Sequence, residues 1–395
     1  MLVAATGVGA GDLATGAFSG SRLGVTVLWA VLVGAGLKFV LTEGIARWQI
    51  ATGQTVLEGA LLRLGRPARW LFLLYLLPWS WFVGSAMISG CGATVHALVP
   101  WFDDAATGKA VFGPVCSLVG LVLVSMGGYR WFERVMRVCI LLMFITVVVT
   151  TVLLGPDWAA VLRGLVVPTI VDGGGAGLGW TIALIGGVGG TLTVLCYGYW
   201  LREEDRDGRE DLAGCRLDLA VGYLVTAVFG IAMVVIGSCV DLDGSGAGLL
   251  VRLADLLEER LGTTARWVFL LGAFGAVFSS LLGVWQAVPY VFADFYRLVA
   301  PSGGAAVDPR SAPYRAYLWG LALVPMAGLA LPFKDVQKLY AVVGAFFLPL
   351  LALTLLLLNG PRRWVGDLRN GVVTNVVLVV AVLFFAALGL RDWLF

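Results

Sequence analysis

Gly186-Gly187-Val188-Gly189-Gly190-Thr191-Leu192-Thr193 lies in the middle of an apolar run, residues 178–200, that is long enough to cross a bilayer. Four glycines within five residues do not sustain a helix, because each costs about 1 kcal/mol relative to alanine. Backbone that leaves the helix at membrane depth must be buried in protein or line a cavity. A second stretch of this kind opens the chain, where residues 2–18 carry Gly7, Gly9, Gly11, Asp12 and Gly16. Glycines also serve close helix packing, usually as small-xxx-small, but both clusters are denser than that pattern. Two interrupted spans, five spans apart, predict an inverted-repeat architecture with a binding site where the broken helices meet.

Composition places the rest of the chain in lipid. Hydrophobic residues make up 59% and charged residues 13%, with a mean hydropathy of +0.92; a soluble domain carries about 25% charged residues. Apolar runs fall near 2–18, 24–47, 70–99, 111–127, 136–155, 178–200, 214–238, 266–295, 314–332, 337–358 and 372–390, which predicts an all-α polytopic membrane protein of about eleven spans. No basic, aromatic-interleaved cluster suggests nucleic acid, and no nucleophile–base pair, phosphate loop or cofactor fingerprint suggests an enzyme. Six scattered cysteines without a CxxC pair read as buried hydrophobes. A lone histidine, His96, excludes a multi-histidine metal site. No basic region follows Met1, so no signal peptide is expected. Arginine and lysine are more numerous in the loops that share a side with the amino terminus, which predicts an inner-membrane protein with its amino terminus cytoplasmic and its carboxyl terminus outside.

Particular residues then resemble those of a known family, the Nramp divalent-metal transporters, over nearly the whole chain. Asp12-Leu13-Ala14-Thr15 stands where that family has Asp-Pro-Gly-Asn in broken helix one. The segment Ala46-Arg47-Trp48-Gln49-Ile50-Ala51-Thr52-Gly53 is similar to the one ending its helix two. Arg216 and Asp218 open span seven, and Pro349 falls inside span ten, as in the family. The resemblance implies a leucine-transporter-like fold of five plus five inverted helices, with helices one and six broken. It gives a transporter core over 1–358, repeats at about 1–155 and 178–358, and an additional carboxyl-terminal helix in 359–395.

The resemblance also exposes departures. The family's metal-site Asn corresponds to Thr15, its Ala-x-x-Met element to Gly187 and Gly190, and its following Pro-His pair to Thr191-Leu192. The acidic pair of helix three corresponds to Ala86 and Ser89. A thioether is a soft ligand suited to soft ions, so its loss removes the chemical basis for iron or manganese selectivity.

Asp12, Thr15, Gly187, Gly190, Thr191, Trp285 and Gln286 are therefore the candidate substrate-binding residues. Asp12 is an ionisable group beside broken backbone, costly in a membrane and by default functional; capping the half-helix after it is the structural alternative. The glycines are expected to leave volume, and the Trp285-Gln286 pair suits a small polyhydroxylated solute. Lys38, Glu43 and His96 are the candidate gating or coupling residues. The favoured expectation is a carrier of a small neutral polar solute such as a hexose, proton-coupled or a facilitator, without a cofactor. The alternative is a divalent cation transporter, with hydrated magnesium held by Asp12, since magnesium keeps several waters. A static receptor has little use for two broken helices.

Overall fold

The computed structural model describes residues 11–126, 130–170, 176–204, 206, 208–240, 246, 248–300 and 307–394, and among them no strand occurs. A π-helical turn, Gly11–Thr15, leads into α1 (Gly16–Leu23). Gly24, at φ 66°, ends α1, and a 3-10 turn passes to α2 (Leu28–Thr52). The 42 residues from Gly11 to Thr52 run as one largely apolar helical stretch. At 1.5 Å per residue they far exceed a bilayer core of about 30 Å, so Gly24 marks the end of one crossing and the start of the next.

The short α3 (Val56–Arg63) begins with a capping box. The Thr55 side chain accepts from the Glu58 N–H, and the Glu58 carboxylate accepts from the Thr55 N–H. Next come α4 (Arg66–Leu98), α5 (Ala105–Met126) and α6 (Arg130–Leu153), the last bent by 116° into α7 (Trp158–Val166). The sixth span consists of α8 (Ala176–Gly187) and α9 (Cys196–Glu203), joined by non-helical backbone and a 3-10 turn, Leu192–Leu195. The chain continues through α10 (Asp211–Ser238), the amphipathic α11 (Leu249–Leu261) and α12 (Thr263–Val299). The expected span at 314–332 forms as α13 (Ala312–Leu323) plus a 3-10 segment, Val324–Ala330. Lys109 of α5 holds the end of that segment, donating to the Leu329 and Leu331 carbonyls at 3.0 and 2.8 Å. Last are α14 (Phe333–Ala345), α15 (Phe347–Asn359), α16 (Arg362–Val365) and α17 (Val372–Leu394).

Glycines set the helix spacing around the first span. A Cβ on Gly20 would lie 2.0 Å from the Val234 carbonyl oxygen, and one on Gly237 2.3 Å from that of Ala17. Hence α1 and α10 touch backbone to backbone, as small residues permit in lipid. The outer surface is apolar at Leu74, Val122, Leu141, Leu224, Val376 and Leu383, the face a lipid-solvated bundle presents.

Candidate functional site at the broken helices

Gly189 and Gly190 adopt φ of 78° and 82°, a left-handed backbone that costs other residues about 1–2 kcal/mol. Two such residues in succession stop α8 at Gly187, and the break falls where its glycines predict it. The first span is irregular at Asp12, inside the π turn; its preceding half lies outside the described residues.

The two interruptions meet. Asp12, 2% exposed, accepts the Gly189 backbone N–H through Oδ1 at 3.0 Å. A Cβ on Gly11 would lie 3.0 Å from the Gly187 carbonyl oxygen and 3.4 Å from the Tyr340 ring. Thr15 packs against Gly187, and its buried Oγ1 has no hydrogen-bond partner among the described residues. Thr191 receives the Trp79 indole N–H at 3.0 Å and also bonds Tyr340.

A cation already stands at this junction. Lys38 of α2, fully buried, donates from Nζ to the Gly186 carbonyl at 2.7 Å and to the Val188 carbonyl. These carbonyls close the carboxyl-terminal end of α8, the negative end of a helix dipole, and the Asp12 carboxylate adds its own attraction for the ammonium. One carboxylate, backbone carbonyls and two hydroxyls are all hard oxygen donors. Among the described residues no group of three or more His, Cys, Asp or Glu gathers to hold a metal.

On the side where α2 ends, charged residues tie three elements together. Glu58 of α3 pairs with Arg202 of α9 at 2.7 Å and Arg297 of α12 at 2.9 Å. Arg297 also holds the buried Asp294 at 2.7 Å, which accepts the Tyr199 hydroxyl of α9 at 2.7 Å. Burial opposes ionisation of Glu58, but bonds from Arg202 and the Thr55 N–H, with the Arg297 charge, outweigh it and hold the carboxyl below its ordinary value.

The profile of the family described as natural resistance-associated macrophage protein-like matches residues 1–392. The chain belongs to the Nramp family. It is a transporter, not an enzyme, and a multi-pass membrane protein. It is 25% identical to the divalent metal cation transporter MntH of Chromohalobacter salexigens, covering 98% of this chain and 88% of that one. The Aeromonas hydrophila protein of the same name is 24% identical, covering 97% and 91%. The fold matches a crystal structure of the Eremococcus coleocola manganese transporter with a TM-score of 0.71 at 17% identity, over 99% of this chain and 84% of that one. MhsT in complex with L-phenylalanine matches at 0.60 and 17%, over 97% of both. The leucine-transporter-like fold is thereby established.

The hexose expectation is overturned. Relatives spanning nearly the whole chain are named for divalent metal cations, and at Gly187 the expected spare volume is filled. A Cβ on Gly187 would sit 3.2 Å from the Thr15 hydroxyl, and one on Gly190 3.1 Å from that of Thr193. An absent side chain here admits a neighbour rather than a solute.

Other expected site residues disperse. Trp285 is wholly buried and packs toward Gly120 of α5, whereas Gln286 is exposed, so the two share no contact surface. Consecutive helical residues point about 100° apart, which the pairing overlooked. Glu43 faces arginines instead of the junction, taking Arg47 at 2.7 Å and Arg216 at 2.8 Å and so tying α2 to α10. His96 lies against Gly108, where α4 turns into α5. At the site of the family's acidic pair, the Ala86 carbonyl accepts from Gln337 at 2.9 Å, and the Ser89 hydroxyl is buried without a partner among the described residues. Sequence reading missed Tyr340, which approaches from α14 with no local signal.

Proposed function

We propose that this Nramp protein carries a divalent metal cation across the inner membrane by alternating access, and that the cargo is a hard, partly hydrated ion of the magnesium type. The observation that carries this reading is the Asp12 carboxylate bridging both helix interruptions through Gly189. The relatives named divalent metal cation transporters support the ion class. The donor set supports the hard ion: it is all oxygen, and Gly190 holds the place of the thioether. Glu43, spent on two arginines, supplies no second carboxylate. Magnesium, which dehydrates reluctantly, therefore arrives with several of its waters. The basic loops favour a cytoplasmic amino terminus.

Proteoliposomes separate the possibilities. Saturable magnesium uptake that collapses in Asp12→Ala supports the proposal. Manganese uptake much faster than that of magnesium would keep the ion class and reject the hard-ion assignment; no flux of either ion would reject both.

A further inference from the structure

A cavity of about 550 Å³ runs between α3, α4 and α15, and none of the residues placed at the junction of the broken helices lines it. Leu57, Leu61, Phe72, Leu350 and Leu351 form much of its wall. The two hydroxyls along it are already spent: Tyr75 donates to the Val343 carbonyl at 3.0 Å, and Thr354 to that of Leu350 at 2.8 Å. At the inner end, beside Leu195 of the sixth span, stand the Tyr75 and Phe347 rings, with centroids 5.4 Å apart. Leu71, Leu353 and Leu357 line the cavity and are also exposed on the outer surface, so it opens to lipid along one side. From Leu357 to Phe347 the α15 wall is about 15 Å long at 1.5 Å per residue. That is one leaflet of a hydrocarbon core about 30 Å thick.

The outer end of this groove is basic. Arg63, half-buried, is the charged residue of the lining. It donates to the Gln54 amide oxygen at 2.6 Å and lies over the Trp48 and Trp364 rings at 4.8 and 5.6 Å. Arg363 of α16 lies over the same Trp364 ring at 4.5 Å. Arg66 and Arg69 flank the lining residues Pro67 and Ala68, and the buried Arg69 Nε has no hydrogen-bond partner among the described residues. None of these four arginines has a carboxylate partner among the described residues. The neighbouring carboxylates are taken, Glu58 by Arg202 and Arg297 and Asp367 by Arg362. The first turn of α4 has no side-chain cap, so its amide dipoles add to the attraction for an anion. Trp70, exposed beside Arg69, and Trp364 are placed as aromatic side chains at headgroup depth are.

We propose that the groove binds one anionic phospholipid, an acyl chain filling the cavity and the phosphate meeting Arg63, with Arg66, Arg69 and Arg363 around it. An apolar slot one leaflet deep, with no free polar group along its wall, suits a hydrocarbon chain and rejects a polar solute. A guanidinium fork matches phosphate oxygens in pairs, and basic pockets at the ends of membrane helices select anionic headgroups. A zwitterionic headgroup carries its own cation and gains less from four uncompensated arginines. Free phosphate lacks the chain that the cavity accommodates.

Native mass spectrometry of the delipidated full-length protein in detergent, titrated with phosphatidylglycerol or phosphatidylcholine of the same chains, gives stoichiometry and affinity together. Wild type should hold one phosphatidylglycerol at least about tenfold more tightly than phosphatidylcholine, since each arginine near the headgroup contributes about fivefold. Arg63→Gln should lose most of that preference, and Arg63→Lys should keep most of it. Ala60→Phe and Thr354→Phe fill the cavity from facing walls, and each should weaken phosphatidylglycerol binding at least about tenfold. Equal affinity for the two lipids overturns the proposal whether or not the variants fold, as does displacement of the lipid by glycerol 3-phosphate at matched concentration. Wild-type affinity in either folded filled variant places the lipid elsewhere and overturns it too. Uptake of neither lipid means that another occupant covers the groove, and rejects it.

Discussion

Substituting Asp12 by asparagine or by alanine separates its two roles. Both remove the charge, but only alanine removes the oxygen that accepts the Gly189 N–H at 3.0 Å. An orphaned buried N–H costs about 1–3 kcal/mol, so Asp12→Ala should be less stable than Asp12→Asn by that amount. The effect on ion binding should be common to both. One carboxylate charge about 4 Å from a dipositive ion is worth roughly 8 kcal/mol at an effective dielectric near 20. Desolvation offsets about half of it, leaving about 4 kcal/mol, close to a thousandfold in affinity. The assays are chemical unfolding in detergent and magnesium binding to the same preparations. Equal stability of the two variants would refute the bridging role, and near-wild-type ion binding by Asp12→Asn would refute the charge argument.

Thr15→Val replaces a buried hydroxyl that has no partner among the described residues, so stability should hold or rise while magnesium affinity falls about tenfold; an unchanged Kd removes Thr15 from the site. Gly20→Val drives a side chain into the Val234 backbone and should cost about 3 kcal/mol or more, seen as a lowered unfolding midpoint in detergent. Gly190→Met places a side chain at φ 82° and should lose about 1–2 kcal/mol without creating manganese selectivity, measured by unfolding and by competition between the two ions. Glu58 has a depressed carboxyl, so its contribution is present above the ordinary carboxylate range and lost as pH falls through the folded value. Glu58→Gln should therefore lower the thermal midpoint at neutral pH, and its deficit should shrink on acidification.

The membrane class, the helix layout and the break at Gly189 and Gly190 could be read locally, because apolar length and glycine density act where they stand in the chain. Asp12 was legible for the same reason: a carboxylate inside an apolar run is too costly to persist without a role. Contacts across the fold were not. Lys38 stands out as an intramembrane charge, yet its partner Gly186 lies 148 residues away. The glycine at 187 misled because sequence records a missing side chain but not the neighbour that moves in, here Thr15. Glu43 looked available to the junction until α10 brought Arg216 to it.

The most direct test is to locate the ion. An anomalous-difference map from crystals soaked in manganese, a heavier oxygen-seeking stand-in for magnesium, should place one peak within about 4 Å of the Asp12 carboxylate. A peak elsewhere in the bundle, or none in saturating metal, would contradict the account.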